Sequence, residues 1–403
     1  MDRIVWAALC CFLLVLSPLP SRAQSLQLVI DADYSHNRDA AAAIELGVTA
    51  ALTEASFKVG DLTLEIVAHD HRANAKRSLR TMMRFLDSGN AIAVIGGMHS
   101  QPYLANRDFI NRHEVLLLLP WSAAAPITRA SFDGENWIFR LSVDDAKSGQ
   151  FLVSQALRSG CGKISLLLQN DGWGRTNFEV LRRALESRSM PVSSHFFPFG
   201  IGRATARDLA NKLGEEGTDC VILISNPRHG AVIAHALHEK ETAIRLFSHW
   251  GITGGGFPDS VPDSVRTALD ISVLQTCGLR RDRLGDPVLS NALQLVLPQA
   301  RSLSDMPAPA GFVHGYDLTK VLLRAIEQAS AGMPWATSPI EEKRRAVKRA
   351  LENLDKPVLG ILQIYNRPFS EYRATKPDAH EALGASDLCL ARFRSDGRLV
   401  DAD

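Results

Sequence analysis

The sequence predicts an α/β fold of two doubly wound, parallel-sheet lobes, and three observations carry that prediction. Continuous apolar runs such as "AIAVI" and "CVILIS" alternate along the chain with stretches whose apolar residues recur every three or four positions. Strands that are apolar at every residue are buried on both faces, as in a parallel sheet covered by helices. The rhythm passes through two successive series, and 403 residues exceed what one core usually holds.

The first series opens with "LQLVI" and a helical stretch at 37–55, where Ile44, Val48, Leu52 and Ala55 share one face. "LTLEIVAHD", a helix at 73–86, "AIAVIGG", a helix at 102–112 and "VLLLLP" continue it. In the second series "KISLLLQ" precedes a helix carrying Phe178, Leu181 and Leu185, and "VSSHFFPF" precedes one carrying Leu209 and Leu213. "CVILIS" precedes one carrying Val232, Ile233 and Leu237, and "IRLFSHW" follows it. Leu318, Leu322, Ala325, Ile326 and Ala329 mark a further long helix that stops near Gly332. The tail segments "GILQIYN" and "LCLARFRSDGRLV", the second with an Asp396-Gly397 turn, read as antiparallel strands, and the polar stretch 368–384 reads as a loop.

A hydrophobic fraction of 46% and 22% charged residues without a long single-sign run argue against disorder and against nucleic acid as a partner. The first residues, "MDRIVWAALCCFLLVLSPLPSRAQS", have the layout of a secretory signal over residues 1–23 with cleavage before Gln24. The apolar run is shorter than the roughly 20 residues that span a bilayer. Its removal takes away Arg3, Arg22 and Asp2 and leaves the chain formally neutral, so no charged partner is implied. Cys161, Cys220, Cys277 and Cys389 then remain; an exported chain can pair them in three ways, and Cys161 and Cys220, each ahead of an apolar strand, can meet at one sheet end.

Signatures of catalysis fail one by one. There is no GxSxG elbow, and His113-Glu114, His238-Glu239 and His380-Glu381 each lack the second His of a zinc site. Gly162-Lys163 is followed by Ile164 where a phosphate loop needs a hydroxyl, no cysteines have CxxC spacing, and His69 and His71 share a face at a polar strand end. No catalytic residue, metal or cofactor is assigned, and the chain is read as a non-enzyme.

Several short motifs follow in order: Ile95-Gly96-Gly97 with Ser100, "PWSAAAPIT" at 120–128, "WIFRLSVDDAKSGQ" at 137–150, Trp173-Gly174 and Gly315-Tyr316-Asp317. Together they resemble the periplasmic solute-binding proteins of branched-chain amino acid and amide ABC transporters, over nearly the whole chain after residue 23. The resemblance implies the type I periplasmic binding fold, with two lobes joined by three hinge strands and a ligand held in the cleft between them. Lobe 1 would comprise 24–143 plus 276–355 and lobe 2 144–275 plus 356–403, with crossings near 143–147, 273–277 and 354–360. It further implies a monomer in the periplasm that delivers a small molecule to an ABC permease; a sensor for a kinase or chemoreceptor is the alternative.

The same resemblance places the site. Ser100 opens a helix, where its hydroxyl and the free N–H groups of the helix end can hold a carboxylate; the competing role is to cap its own helix. Ser122, Ala123 and Ala124 should border the ligand, with Ala124 standing where the family often has a Thr. Trp173 replaces a Tyr that stacks on the ligand. Trp250 falls near an acid that pairs with the ammonium of amino acids, and a Trp cannot supply that charge. The ligand is therefore expected not to be an ordinary α-amino acid, unless Asp33 contributes the missing carboxylate. Tyr34 and Tyr103 can reach the cleft, and Tyr34, Trp121, Trp173 and Trp250 together suggest an aromatic-lined pocket for a flat or apolar ligand with one acidic end.

Overall fold

A computed structural model describes residues 25–129, 135–240, 243–278, 286–300 and 302–402. The expected signal segment lies outside them. The first lobe is built on a six-stranded sheet in the order Lys58–Val59, Leu62–Asp70, Ser25–Ala32, Ala91–Gly96, Leu117–Leu119, Ile138–Arg140. All its pairings are parallel except the first, a short hairpin. Ala91–Gly96 is buried at every residue, as its unbroken apolar run requires, whereas Leu62–Asp70 sits nearer the edge and keeps partly exposed positions.

The second lobe has seven strands in the order Leu399–Asp401, Leu388–Phe393, Ser272–Thr276, Arg245–Ser248, Cys220–Ile224, Ile164–Gln169, Ser193–Phe197. Its four pairings from Ser272–Thr276 onward are those of a parallel sheet, and the two C-terminal strands add to it in antiparallel fashion. The Asp396-Gly397 turn forms as the sequence suggests, with Gly397 in the left-handed region at φ +82°. Helices begin where a short polar residue ends a strand's loop. Asn74, Asp144, Asp171 and Asn226 each accept the backbone N–H of the residue three positions on.

The chain passes between lobes three times. The first passage lies between Arg140, the end of the first sheet, and Asp144, which caps the helix Asp145–Arg158 of the second lobe. The second follows Thr276, whose hydroxyl lies 3.2 Å from Nε2 of His314 in the first lobe. The third differs from the expected 354–360. Those residues stay in the first lobe, where Asp317 of the helix Pro309–Ala331 accepts the N–H groups of Ile361 and Leu362 and the hydroxyl of Tyr365. The loop 368–384 stays there too, because Phe369 and His380 pack on Phe139 of the first sheet. The chain leaves only beyond Leu383, to enter the strand Leu388–Phe393, so 356–383 belongs with the first lobe rather than the second. Disulfides Cys161–Cys220 and Cys277–Cys389 both lie in the second lobe.

A buried charge network binds the linkers together. Arg140, without solvent exposure, donates to Glu381 at 2.7 Å, to Thr128 at 3.1 Å and to the carbonyl of Ala124 at 3.0 Å. Arg129 donates to Asp144, and Lys147 donates to Glu381 at 3.0 Å. Burial pushes the Asp144 carboxyl up, but its hydrogen bond with Glu381 and the cations Arg140, Arg129 and Lys147 prevail and hold it well below the usual range. For Glu381 burial wins, and its carboxyl is raised. Removing the central cation leaves two carboxylates buried and under-compensated, a loss of about 3–5 kcal/mol. Arg140→Leu should therefore lower the urea midpoint strongly; an unchanged midpoint would show that the network contributes nothing to stability.

Candidate functional site

Loops at the carboxyl ends of both parallel sheets face one another, as expected for ligand sites of open α/β folds. From the first lobe come residues 97–100, after Ala91–Gly96, and 120–124, after Leu117–Leu119. The second contributes the turns that follow Ile164–Gln169, Cys220–Ile224 and Arg245–Ser248. Between them lies a cavity of about 30 Å³. Its first-lobe wall is Met98, His99, Ser100, Gln101, Trp121 and Ala123. Its second-lobe wall is Gln169, Asp171, Trp173, Asn226, Trp250 and Gly251.

Ser100 stands at the N-terminus of the helix Gln101–Arg112, but its side chain does not cap that helix. The hydroxyl instead accepts the N–H of Ala124 at 3.1 Å, which fixes it against the neighbouring loop and leaves its own proton for the cavity. Trp121 is buried, and its indole N–H has no partner among the described residues. Asp171 is the one carboxylate in the wall, and both of its oxygens are engaged, by Gly174 N–H at 2.9 Å and by the Gln169 amide at 2.5 Å.

Trp173 enters the cavity from the first turn of the helix Gly172–Glu186, between two glycines that closeness demands. A Cβ on Gly174 would lie 1.8 Å from the carbonyl oxygen of Gln169, and one on Gly172 2.0 Å from Oε1 of Gln101. The second contact is a bond between lobes: Gly172 N–H donates to Gln101 at 2.8 Å. Behind the tryptophans, His249 meets Trp173 and Trp250 edge-on at 5.3 and 4.8 Å between centroids. Its Nε2 lies 3.0 Å from Asp145, whose other oxygen accepts the Asn177 amide.

Of the expected site residues, Ser100, Ala123, Trp173 and Trp250 are brought together around the cavity, with Trp121. Four others are placed elsewhere. Ser122 donates to the carbonyls of Gly97 and His99, and Ala124 gives its N–H to Ser100 and its carbonyl to Arg140. Tyr34 lies outside the wall and donates to Glu45 at 2.7 Å. Tyr103 is fully buried, donating to the carbonyl of Asp31 at 2.5 Å and accepting Gly97 N–H at 2.6 Å. It braces the loop rather than facing the cavity. Asp33 is committed as well. Burial pushes its carboxyl up, yet His99 at 3.1 Å and the His36 amide at 2.9 Å outweigh this and hold it well below the usual range. Residues missed in the sequence, chiefly His99, Gln101, Gln169, Asp171 and Asn226, share one signal: each lies at the end of an apolar strand or in the turn and helix start that follow it.

The model of the periplasmic binding protein family matches residues 29–246, more than half of the sequence, and the chain belongs to that family. Solved structures agree on the type I fold. An extracellular ligand-binding receptor from Rhodopseudomonas palustris HaA2 superimposes with a TM-score of 0.74 at 15% identity, covering 94% of this chain and 100% of its own. A solute-binding protein of an ABC transporter from R. palustris, solved with 4-hydroxybenzoate, gives 0.72 at 16% identity, over 94% and 96% of the two chains. An ABC transporter substrate-binding protein from Desulfitobacterium hafniense, solved with Leu, gives 0.68 at 14%, over 93% and 99%. No curated protein sequence matches the chain. No helix among the described residues is long and apolar enough to cross a membrane.

Asp31, beneath the Tyr103 brace, supplies a pH test. Burial raises its carboxyl from 3.8 to about 6, against hydrogen bonds from Ser78, Thr81 and Tyr103 that pull it down. The folded chain thus keeps this proton longer than the unfolded chain does. Stability is unaffected below pH 3.8, falls as pH rises toward 6, and carries a penalty of about 3 kcal/mol above that. Asp31→Asn should gain in urea midpoint over the parent at pH 7.5 relative to pH 4; a constant difference between the two proteins would place the carboxyl at its ordinary value.

Proposed function

We propose that the protein is an exported solute-binding protein that captures a small organic carboxylate with an aromatic or apolar body between its lobes and delivers it to an ABC permease. The balance of donors and acceptors in the cavity carries this reading. The Ser100 hydroxyl keeps its proton for an acceptor, while Asp171, the carboxylate that lines the cavity, already accepts two amide donors. An ammonium enclosed there would have to compete for Asp171, whose two oxygens already accept the Gly174 and Gln169 amides, and Trp250 adds no second carboxylate. Trp121, Trp173 and Trp250 offer flat apolar surface to the rest of the ligand. A cavity of about 30 Å³ has room for a water or two, so loading requires the lobes to part at the three linkers and close again. Export rests on the signal-like residues 1–23, and the permease on the family.

A thermal-shift screen of the mature protein tests this directly, with amino acids, aromatic carboxylates, amides and sugar-derived acids as probes. A ligand at about 100 times its Kd adds about 2.7 kcal/mol, enough to move the midpoint by several degrees. Aromatic or simple carboxylates should shift it and amino acids should not; a strong response to leucine with carboxylates silent would overturn the assignment. With the responding ligand, Trp173→Ala should fold normally and lose about 1–3 kcal/mol of affinity by calorimetry. Retained affinity would remove Trp173 from the site.

A further inference from the structure

A second, larger hollow lies at the edge of the cleft. It measures about 610 Å³, within the range of small-molecule sites, and both lobes contribute to it. The first lobe supplies residues 35–39, and the second supplies the start of the helix Arg203–Glu215, one face of the helix Pro227–His238 and the turn 254–256. Its charge is one-sided. Arg38, Arg203, Arg207 and Arg228 line it, against Asp39 and Glu239. Arg207 is spent on Glu239 at 2.7 Å. Arg38, Arg203 and Arg228 form no ion pair among the described residues. A chain that is formally neutral without its first 23 residues has thus gathered around one hollow three guanidinium groups that form no close ion pair among the described residues, Arg203 acting only at longer range on Glu239.

The turn adds backbone donors. Gly255 and Gly256 take φ +113° and +71°, and their N–H groups make no hydrogen bond among the described residues. Gly255 packs closely against the opposite lobe, where a Cβ would lie 2.5 Å from the Asp39 side chain, so Asp39 is the one acid that a bound anion must share the turn with. Free main-chain N–H groups in a glycine turn, together with guanidinium groups, make a combination suited to oxyanions.

We propose that this hollow is a binding site for a small polyanion carrying two or more carboxylate or phosphate groups, distinct from the tryptophan-lined cavity. Arg38 approaches from one lobe and Arg203 and Arg228 from the other, so a ligand that engages both sides is bound best when the cleft is shut. Its occupancy favours closure.

Calorimetric titration of the mature protein at low salt tests the site, with citrate and inorganic pyrophosphate as separate probes and acetate as the monovalent control. Either polyanion should bind with an affinity that falls as NaCl is added. The double variant Arg203→Gln/Arg228→Gln should weaken it by about tenfold or more, and Arg38→Gln alone should weaken it measurably, because charge-assisted contacts from both lobes are lost. Citrate alone responding assigns polycarboxylates, and pyrophosphate alone assigns phosphates. These arginines are exposed, so the variants should keep the parent's melting temperature. Trp173→Ala should weaken polyanion binding far less than the arginine substitutions do, which separates this site from the central cavity. Absence of binding by both polyanions, or binding insensitive to the arginine substitutions, overturns the proposal.

Discussion

Arg140 closes the first sheet with its guanidinium sealed from water, and that placement obliges the chain to bring carboxylates to it. Asp144 arrives from the linker that follows and Glu381 from residues more than 200 positions later. Two of the three linkers therefore start from one electrostatic knot. Thr128 and the carbonyl of Ala124 join it from the loop that forms the cavity floor, so the same cation that fixes the linkers also fixes part of the site.

The cavity owes its shape to side chains that do not line it. Tyr103 ties the Gly97 loop to the strand Ser25–Ala32, Ser122 ties that loop to the next one, and Asp33 anchors His99. In the second lobe, Asn177, Asp145 and His249 form a buried line behind Trp173 and Trp250. Such polar bracing costs desolvation and returns rigidity, which places a few groups accurately on an otherwise apolar wall.

The lobes were legible because apolar strands such as "AIAVIG" carry their burial in their composition, and the helices in their period. Trp173 was placed at the cleft by the resemblance alone, and the structure explains the glycines on either side of it by close contacts with Gln169 and Gln101. Tyr34 and Tyr103 were not, because a tyrosine after a strand looks alike whether its hydroxyl faces a ligand or a carbonyl. The third crossing was hidden for a related reason. The stretch 368–384 is polar on average, while its few decisive residues, Phe369, His380 and Glu381, find partners at Phe139 and Arg140, distances that no local pattern encodes.

The late return of the chain to the second lobe has a temporal meaning. The strand Ser272–Thr276 pairs on one side with Leu388–Phe393, and Cys277 with Cys389, so an inner row of that sheet stays uncovered until the last residues are made. The first lobe waits too, for residues 361–381. Neither half can be finished on the ribosome before synthesis is nearly over. The nascent polypeptide therefore remains without its final tertiary structure for almost the whole of translation, a state in which it can still be threaded end-first through a narrow pore.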